Sequence, residues 1–309
     1  MPTTMTVNSN YVGSVAGEIT GAAFKEAQTI KENLVTVLPD IDFQMSLRKI
    51  SYTNGRVDYA CGFTPTGAVT LSEVLLTPKK IMNAQEICKE DLRQIWSSAS
   101  MGFSAHNDNM PKDVEAALLN EILQDTAQAT DLDIWGGVAA TTGRIGGFIE
   151  LFAADGDIIK ANNGITTLAG AITKANVQTE IEKVLEAVPV SLRRKKNTVF
   201  LVSSNVALAY EQALISAGIS NGMGGAEMNL AYGSTKITVV DALPDNTFVV
   251  YEVKNLYFGT GLMADHNEIR IKDMDESDLS GNVRYKMVYT GGVQYINPTE
   301  IVWYLSTTV

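Results

Sequence analysis

FQMSLRKISYTNGRVDYACGFTPTGAVTLSEVLLTP, residues 43–78, decides the fold. FQMSLRKISYT alternates apolar and polar residues, as does LVTVLP (34–39) before it, which is the pattern of half-buried strands. NGRVDYACGFTPTG (54–67) is dense in Gly, Asn, Pro and Thr, the residues of turns. A second strand-like run, AVTLSEVLL (68–76), is closed by Thr77-Pro78. Two strands around a turn-rich tip predict a long β-hairpin. Arms of about ten to fifteen residues would reach roughly 35–50 Å. A bare ribbon of that length is unstable in water and exposes two strand edges. Something else must cover it, most simply another copy of the chain.

On the N-terminal side, residues 1–33 are short of large apolar groups. YVGSVAGEITGAAFKEAQTI is rich in Gly, Ala and Thr, and Gly13, Gly17 and Gly21 weaken the helix that Ala16 to Ile30 would otherwise form. Such a segment is stable when it lies on a neighbour. On the C-terminal side, 79–98 reads as a helix, or as a strand followed by one. The clearest helix comes next. Asp108 and Asn109 supply caps, Pro111 sits in the first turn, and Asp113 and Glu115 suit the positive end of the dipole. Val114, Ala117, Leu118 and Ile122 share a face that Leu119 and Leu123 widen, and the helix is expected to reach about Asp131, before WGG (135–137).

Residues 150–255 read as an inserted α/β unit. Ile181, Val184, Leu185 and Val188 mark a helix stopped by Pro189, and TVFLV (198–202) is a buried strand. A helix from Asn205 to Gly218 follows, then the glycine-rich SNGMGGAEMN, then strands at 236–242 and 247–253. Residues 256–309 return to strands: LYFGTG, EIRIKDM, NVRYKMVYTGGVQYI and IVWYLS. There are no internal repeats and no long linker.

Bulk properties exclude several classes. With 309 residues, 45% apolar and 19% charged, most of the chain should fold around a substantial core. No run approaches the eighteen apolar residues of a membrane span, and MPTTMTVNSN lacks the basic and apolar regions of a signal peptide. A net charge of −11 disfavours sequence-specific nucleic-acid binding. Cys61 and Cys88 without CxxC spacing point to a reducing compartment. His106 and His266 stand in no HxxxH or HExxH pattern, so no metal is expected. Gly222, Gly224 and Gly225 follow a helix without GK[ST], so they form a flexible loop and not a phosphate cradle. No GxSxG occurs, and no catalytic or cofactor-binding residue is assigned. Tyr285, Tyr289, Trp303 and Tyr304 are read as core.

The order of elements resembles the major capsid proteins of tailed bacteriophages, the Hong Kong 97-type fold shared with encapsulins. PKDVEAALLNEILQDTAQATDLDIWGG (111–137) looks like the family's spine helix, and 184–214 is similar to its helix, basic turn, core strand and helix. LAYGSTKITVVDALPDNTFVVYEVKNLYFGTG (230–261) resembles its glycine turn, strand and return, and 282–305 its terminal strands. The resemblance implies an α+β fold in four parts: an N-terminal arm (1–38), an extended hairpin loop (39–78), a peripheral domain (79–149 and 256–309, spine helix about 111–131) and an axial α/β domain (150–255). It implies a structural protein of the virion, not an enzyme. Such a protein self-assembles in the host cytoplasm into hexamers and pentamers of an icosahedral shell around double-stranded DNA. Its partners would be many copies of itself, with scaffolding, portal and decoration proteins; no cofactor and no membrane are implied. Assembly contacts would fall on Arg56, Tyr59 and Phe63 at the hairpin tip, on the basic run Arg193, Arg194, Lys195 and Lys196, and on Met223. One branch of the family cross-links a hairpin Lys to an Asn beside an acid, and Lys49, Asn297 and Glu300 match those roles by residue type alone. An encapsulin-like compartment with protein cargo is the alternative within the fold. An α/β small-molecule enzyme is the alternative outside it, and the lack of clustered acid–base or phosphate motifs stands against it.

Overall fold

Strand β6 (Thr198–Ser203) is TVFLVS, with Phe200, Leu201 and Val202 all buried, so both of its faces are covered. The computed structural model describes residues 27–53, 55–59, 61–62, 66–88, 112–161, 170–218, 230–233, 235–261, 269–274 and 280–305. The chain divides into two compact units: Met1–Ala27, Lys80–Thr130 and Gly261–Thr290 in one, Gln28–Lys79, Asp131–Thr260 and Gly291–Val309 in the other.

The larger unit is built on a six-stranded sheet. Its order is β5 (Ile159–Lys160), β13 (Ile301–Leu305), β9 (Thr247–Glu252), β6, β8 (Thr235–Val240), β7 (Ala231–Tyr232). β6 runs parallel to β8 and antiparallel to β9, and β9 is antiparallel to β13. One core cluster joins Val177, Ile181 and Val184 of helix α4 (Val177–Ala187) and Val206 and Tyr210 of α6 (Ser204–Ser216) to Phe200, Phe248, Val250, Val302 and Tyr304 of the sheet. Short α5 (Val190–Arg193) links α4 to β6. Across the sheet, Tyr251 and Trp303 meet rings from two other helices. Trp135, in the last turn of α2 (Lys112–Gly136), packs 6.2 Å from Tyr251, and Phe152 of α3 (Phe148–Ala154) packs 6.4 Å from Trp303.

The C-terminal run IVWYL was expected among the closing strands, yet its partners are β9 and β5 of this sheet. The physical reason is burial on both faces: Ile301, Val302, Trp303 and Tyr304 are all buried, which only a strand with both faces covered achieves. In the same unit, β1 (Thr36–Leu38) lies parallel to β10 (Leu256–Gly259), and β10 pairs antiparallel with the end of β12 (Asn282–Tyr295). LVTVL is therefore a sheet strand and not part of the hairpin. Short helix α1 (Gln28–Lys31) is fixed by the long helix: the Gln28 and Thr29 amides donate to the Asp131 carboxylate, and Trp135 Nε1 donates to Thr29 Oγ1.

In the smaller unit, β12 pairs with β11 (Ile269–Asp273) and with β4 (Lys79–Cys88). Residues 79–88 thus form a strand; the helix expected beyond them lies outside the described residues, as do the Asp108, Asn109 and Pro111 start signals. β12 alternates strictly here: Val283, Tyr285, Met287 and Tyr289 are buried, Arg284 and Lys286 exposed. Among the described residues, no helix is long and apolar enough to cross a membrane.

Candidate assembly surface

The hairpin exists, with shorter arms than expected. β2 (Met45–Tyr52) and β3 (Val69–Leu76) pair antiparallel from Met45↔Leu76 to Tyr52↔Val69. Eight residues per arm span about 27 Å at ~3.4 Å per residue. Beyond the paired strands, Thr53 N donates to Ala68 O at 2.8 Å and Thr66 Oγ1 to Gly55 O at 2.6 Å, closing the tip on itself.

Residues directly opposite one another share a face, so the register sorts the ribbon into two. One face carries Met45, Leu76, Leu47 and Val74 near the root, then Lys49, Ser72, Ser51 and Thr70. Leu47 and Leu76 are buried against Ile41, with Leu38, Tyr257 and Ile296 around them, and Gln294 Nε2 donates to Leu75 O. This face roots the hairpin in its own unit. The opposite face carries Leu75, the Arg48–Glu73 pair, then Ile50 beside Leu71 and Tyr52 beside Val69. Ile50 is 73% exposed, Tyr52 67%, Val69 71% and Leu71 61%. Most large apolar residues left exposed among the described residues lie between Phe43 and Leu75. Scattered exposed apolar residues are ordinary, but a contiguous stripe marks an interaction site. Covering it gives on the order of 10 kcal/mol gross, set against about 4–15 kcal/mol for association. One such contact is weak, and many repeated ones are needed to hold an assembly.

At the root, Lys49 Nζ donates to Asn297 Oδ1 at 2.6 Å, and Thr299 Oγ1 donates to the same oxygen. Lys195 Nζ bridges Glu252 Oε2 at 2.6 Å and Glu300 Oε2 at 2.7 Å. Burial alone would raise the Glu300 carboxyl. Hydrogen bonds from Lys195 and Asn297, with the charges of Lys195 and Lys49, hold it below its ordinary value. Burial likewise acts to lower Lys195, and the two carboxylates outweigh it and raise the ammonium above its ordinary value. The Lys195 contribution is complete below its ordinary 10.5 and is lost as pH rises through the higher folded value. The Glu300 contribution is complete above its ordinary 4.5 and is lost as pH falls through the lower folded value. Lys195→Met leaves two carboxylates without their shared cation, so we expect a loss of about 1–3 kcal/mol at pH 7. Thermal melts of the two proteins should differ by several degrees at pH 7, and the difference should begin to shrink only as pH falls below 4.5 toward the lower folded value of Glu300.

No known family model and no curated protein matches the chain. Solved structures do. The capsid of a native GTA particle superposes with a TM-score of 0.66 at 12% identity over 94% of both chains. The cyanophage A-1(L) capsid gives 0.61 at 11% identity, over 93% of this chain and 95% of that one. The satellite phage P4 procapsid, which includes a size determination protein, gives 0.56 at 11% identity over 91% and 98%. The chain has the tailed-phage major capsid fold.

On this capsid fold the expected contact residues separate. Arg56 and Tyr59 sit in the exposed tip, Tyr59 at 93% exposure. Phe63 and Met223 lie outside the described residues, as do His106 and His266. Arg193 is engaged within its own chain: Nη2 donates to Leu185 O at 2.6 Å and Glu186 O at 3.3 Å, satisfying the last carbonyls of α4. Lys195 is engaged by the two carboxylates just described, while Arg194 and Lys196 are exposed. Lys49, Asn297 and Glu300 do come together, but inside one subunit. Ile50, Tyr52, Val69 and Leu71 were not singled out from the sequence. The signal for them is a change of phase: apolar positions are odd at Met45 and Leu47, then even at Ile50 and Tyr52. A strand whose apolar residues switch faces part-way along is covered by its own body at the root and by something else beyond it.

Proposed function

We propose that this chain is the building block of an icosahedral shell, a structural protein that self-assembles and encloses double-stranded DNA. The observation that carries the reading is the outward apolar stripe of the hairpin, uncovered among the described residues of a chain with the capsid fold. Each hairpin lies across an adjacent copy and buries Ile50, Tyr52, Val69 and Leu71 there. In this reading residues 1–38 are the arm, 39–78 the hairpin loop, 79–149 and 256–300 the peripheral domain, and 150–255, joined by the closing strand Ile301–Leu305, the axial domain. Copies gather into hexamers and pentamers, with separate scaffolding, portal and decoration proteins completing a virion assembled in the host cytoplasm. The role is structural, and the acidic chain encloses DNA without reading its sequence.

The test is assembly of the purified chain, followed by size-exclusion chromatography and electron microscopy. Particles of megadalton size with nucleic acid inside support the reading; protein cargo instead of DNA favours the compartment alternative, and a small monomer rejects both. Ile50→Ser/Leu71→Ser removes the centre of the stripe at positions that are exposed in the subunit. We expect melting within about 2 °C of wild type, since exposed substitutions shift stability by roughly 0.5 kcal/mol or less, and loss of particles.

A further inference from the structure

We infer that Gly259 and Gly292 are positioning residues for assembly: the bare patch they leave on their sheet is the seat that fixes the angle at which the hairpin leaves its own body. The inference rests on the shell reading above and deepens it, because a hairpin that lies across a neighbour passes its angle on to that neighbour. Gly259 of β10 and Gly292 of β12 lie directly opposite one another. Directly opposite residues share a face, so the pair leaves a stretch of sheet without side chains. Neither backbone is left-handed, so conformation does not call for glycine at either position. Glycine in a strand weakens it, and marks the close approach of another backbone.

Here what approaches is the hairpin's returning chain. A Cβ on Gly292 would lie 3.0 Å from Pro78 Cα and 3.1 Å from Thr77 O. A Cβ on Gly259 would lie 2.6 Å from Leu76 Cδ2 and 2.7 Å from Ile41 Cδ1. Leu76 is 1% exposed, so its side chain has no open space to swing into. The seat begins a row of contacts. Two residues along the same face, Tyr257 lies opposite Gln294. Tyr257 packs on the cluster of Ile41, Leu47 and Leu76, and Gln294 Nε2 donates to Leu75 O at 3.1 Å. Farther out, Lys49 Nζ donates to Asn297 Oδ1. The row holds the ribbon as far as Lys49 and leaves the outer apolar rungs beyond it for a neighbour.

A ribbon on a short seat is a lever. Leu76 and Pro78 stand about 7 Å apart along the chain, and the paired strands run roughly 24 Å from Leu76 to Val69. Carbon atoms in contact keep about 3.5–4.0 Å between them, so a methyl group on Gly259 lifts Leu76 by about 1 Å. Over that seat the lift tilts the ribbon by roughly 8° and carries its far end about 3 Å. Lys49 reaches Asn297 through a flexible four-carbon stem, which follows such a tilt. A methyl group on Gly292 presses under Pro78, at the other end of the seat, and tilts the ribbon in the opposite sense.

The experiment reads the angle in the subunit and the shell separately. Nitroxide labels are placed on Cys61 in the tip and on Gln212→Cys, exposed on α6, in a Cys88→Ser background. The mean distance between the labels should shift by about 2 Å or more in Gly259→Ala, and in the opposite sense in Gly292→Ala. Gly292→Ala displaces its neighbours by only a few tenths of an ångström, so it decides the question if Gly259→Ala does not fold. Shells of the unlabelled variants should differ in diameter from wild type by electron microscopy. A merely structural role would lower the melting temperature and the yield and leave both the label distance and the diameter unchanged. Unchanged label distances in folded variants overturn the inference, as do shells of wild-type diameter. No particles from wild type run alongside overturns the shell reading, while the label distances in the subunit still decide whether the glycine pair sets the angle.

Discussion

Replacing residues 53–68 with Asn-Gly should leave a folded subunit that forms no shells. Tyr52 and Val69 are direct cross-strand partners, so a two-residue turn joins them without changing the register of β2 and β3. Among the described residues, the bonds that disappear include Thr53 N to Ala68 O, Thr66 Oγ1 to Gly55 O, the Tyr59–Cys61 contact and Gly55 N to Tyr52 Oη. The root contacts of Leu47 and Leu76, and the Lys49–Asn297 bond, remain. Stability should therefore change by about 1 kcal/mol or less, while the far end of each hairpin no longer reaches its neighbour. Because a shell multiplies one contact over every subunit, a modest loss per copy removes the closed particle altogether. Circular dichroism and melting should match wild type, and electron microscopy should show no particles. Particles of normal size and yield would sink the shell reading's dependence on this ribbon.

The hairpin was legible because its signals are local: alternation, a turn-dense centre and a closing proline. Which face points outward was not, because that depends on Leu38, Tyr257 and Ile296 arriving from distant parts of the chain. The long helix shows the same division. Its apolar stripe predicts the body, but the expected end near Asp131 falls short of the observed Gly136. Asp131 and Asp133 lie near the C-terminal end of this helix, where the dipole disfavours anions. Tertiary structure overrides that preference, because the Asp131 carboxylate accepts the first amides of α1. Burial raises this carboxyl, and the Thr29 and Gln28 hydrogen bonds only partly oppose the rise.

The residues WGG were read as a helix stop, and the structure gives them a harder constraint. Gly137 N donates to Asp133 O at 3.0 Å, and Gly147 N donates to Gly137 O at 2.8 Å, so the end of α2 and the start of α3 touch backbone to backbone. A Cβ on Gly137 would sit 2.2 Å from Ile145 O and 2.6 Å from Asp133 O. Both are main-chain atoms, and Asp133 O already accepts from Gly137 N, so no side chain can swing away to make room. The separation of α2 and α3 would have to grow, and with it the packing of Trp135, whose ring lies 5.4 Å from Phe148 and 6.2 Å from Tyr251. Trp135 is fully buried, so disturbing its seat opens the core beneath β9. Gly137→Ala should then destabilise by more than about 4 kcal/mol, beyond the ordinary range for point substitutions. At roughly 2–4 °C per kcal/mol this lowers the melting temperature by 10 °C or more, or leaves the chain insoluble. Gly156→Ala is the matched control: a Cβ there meets nothing within 4 Å, and melting should move by no more than a few degrees. A Gly137→Ala protein that melts within about 2 °C of wild type would mean the two helices can part without cost, and that the crossing does not fix the core packed against β9 of the six-stranded sheet.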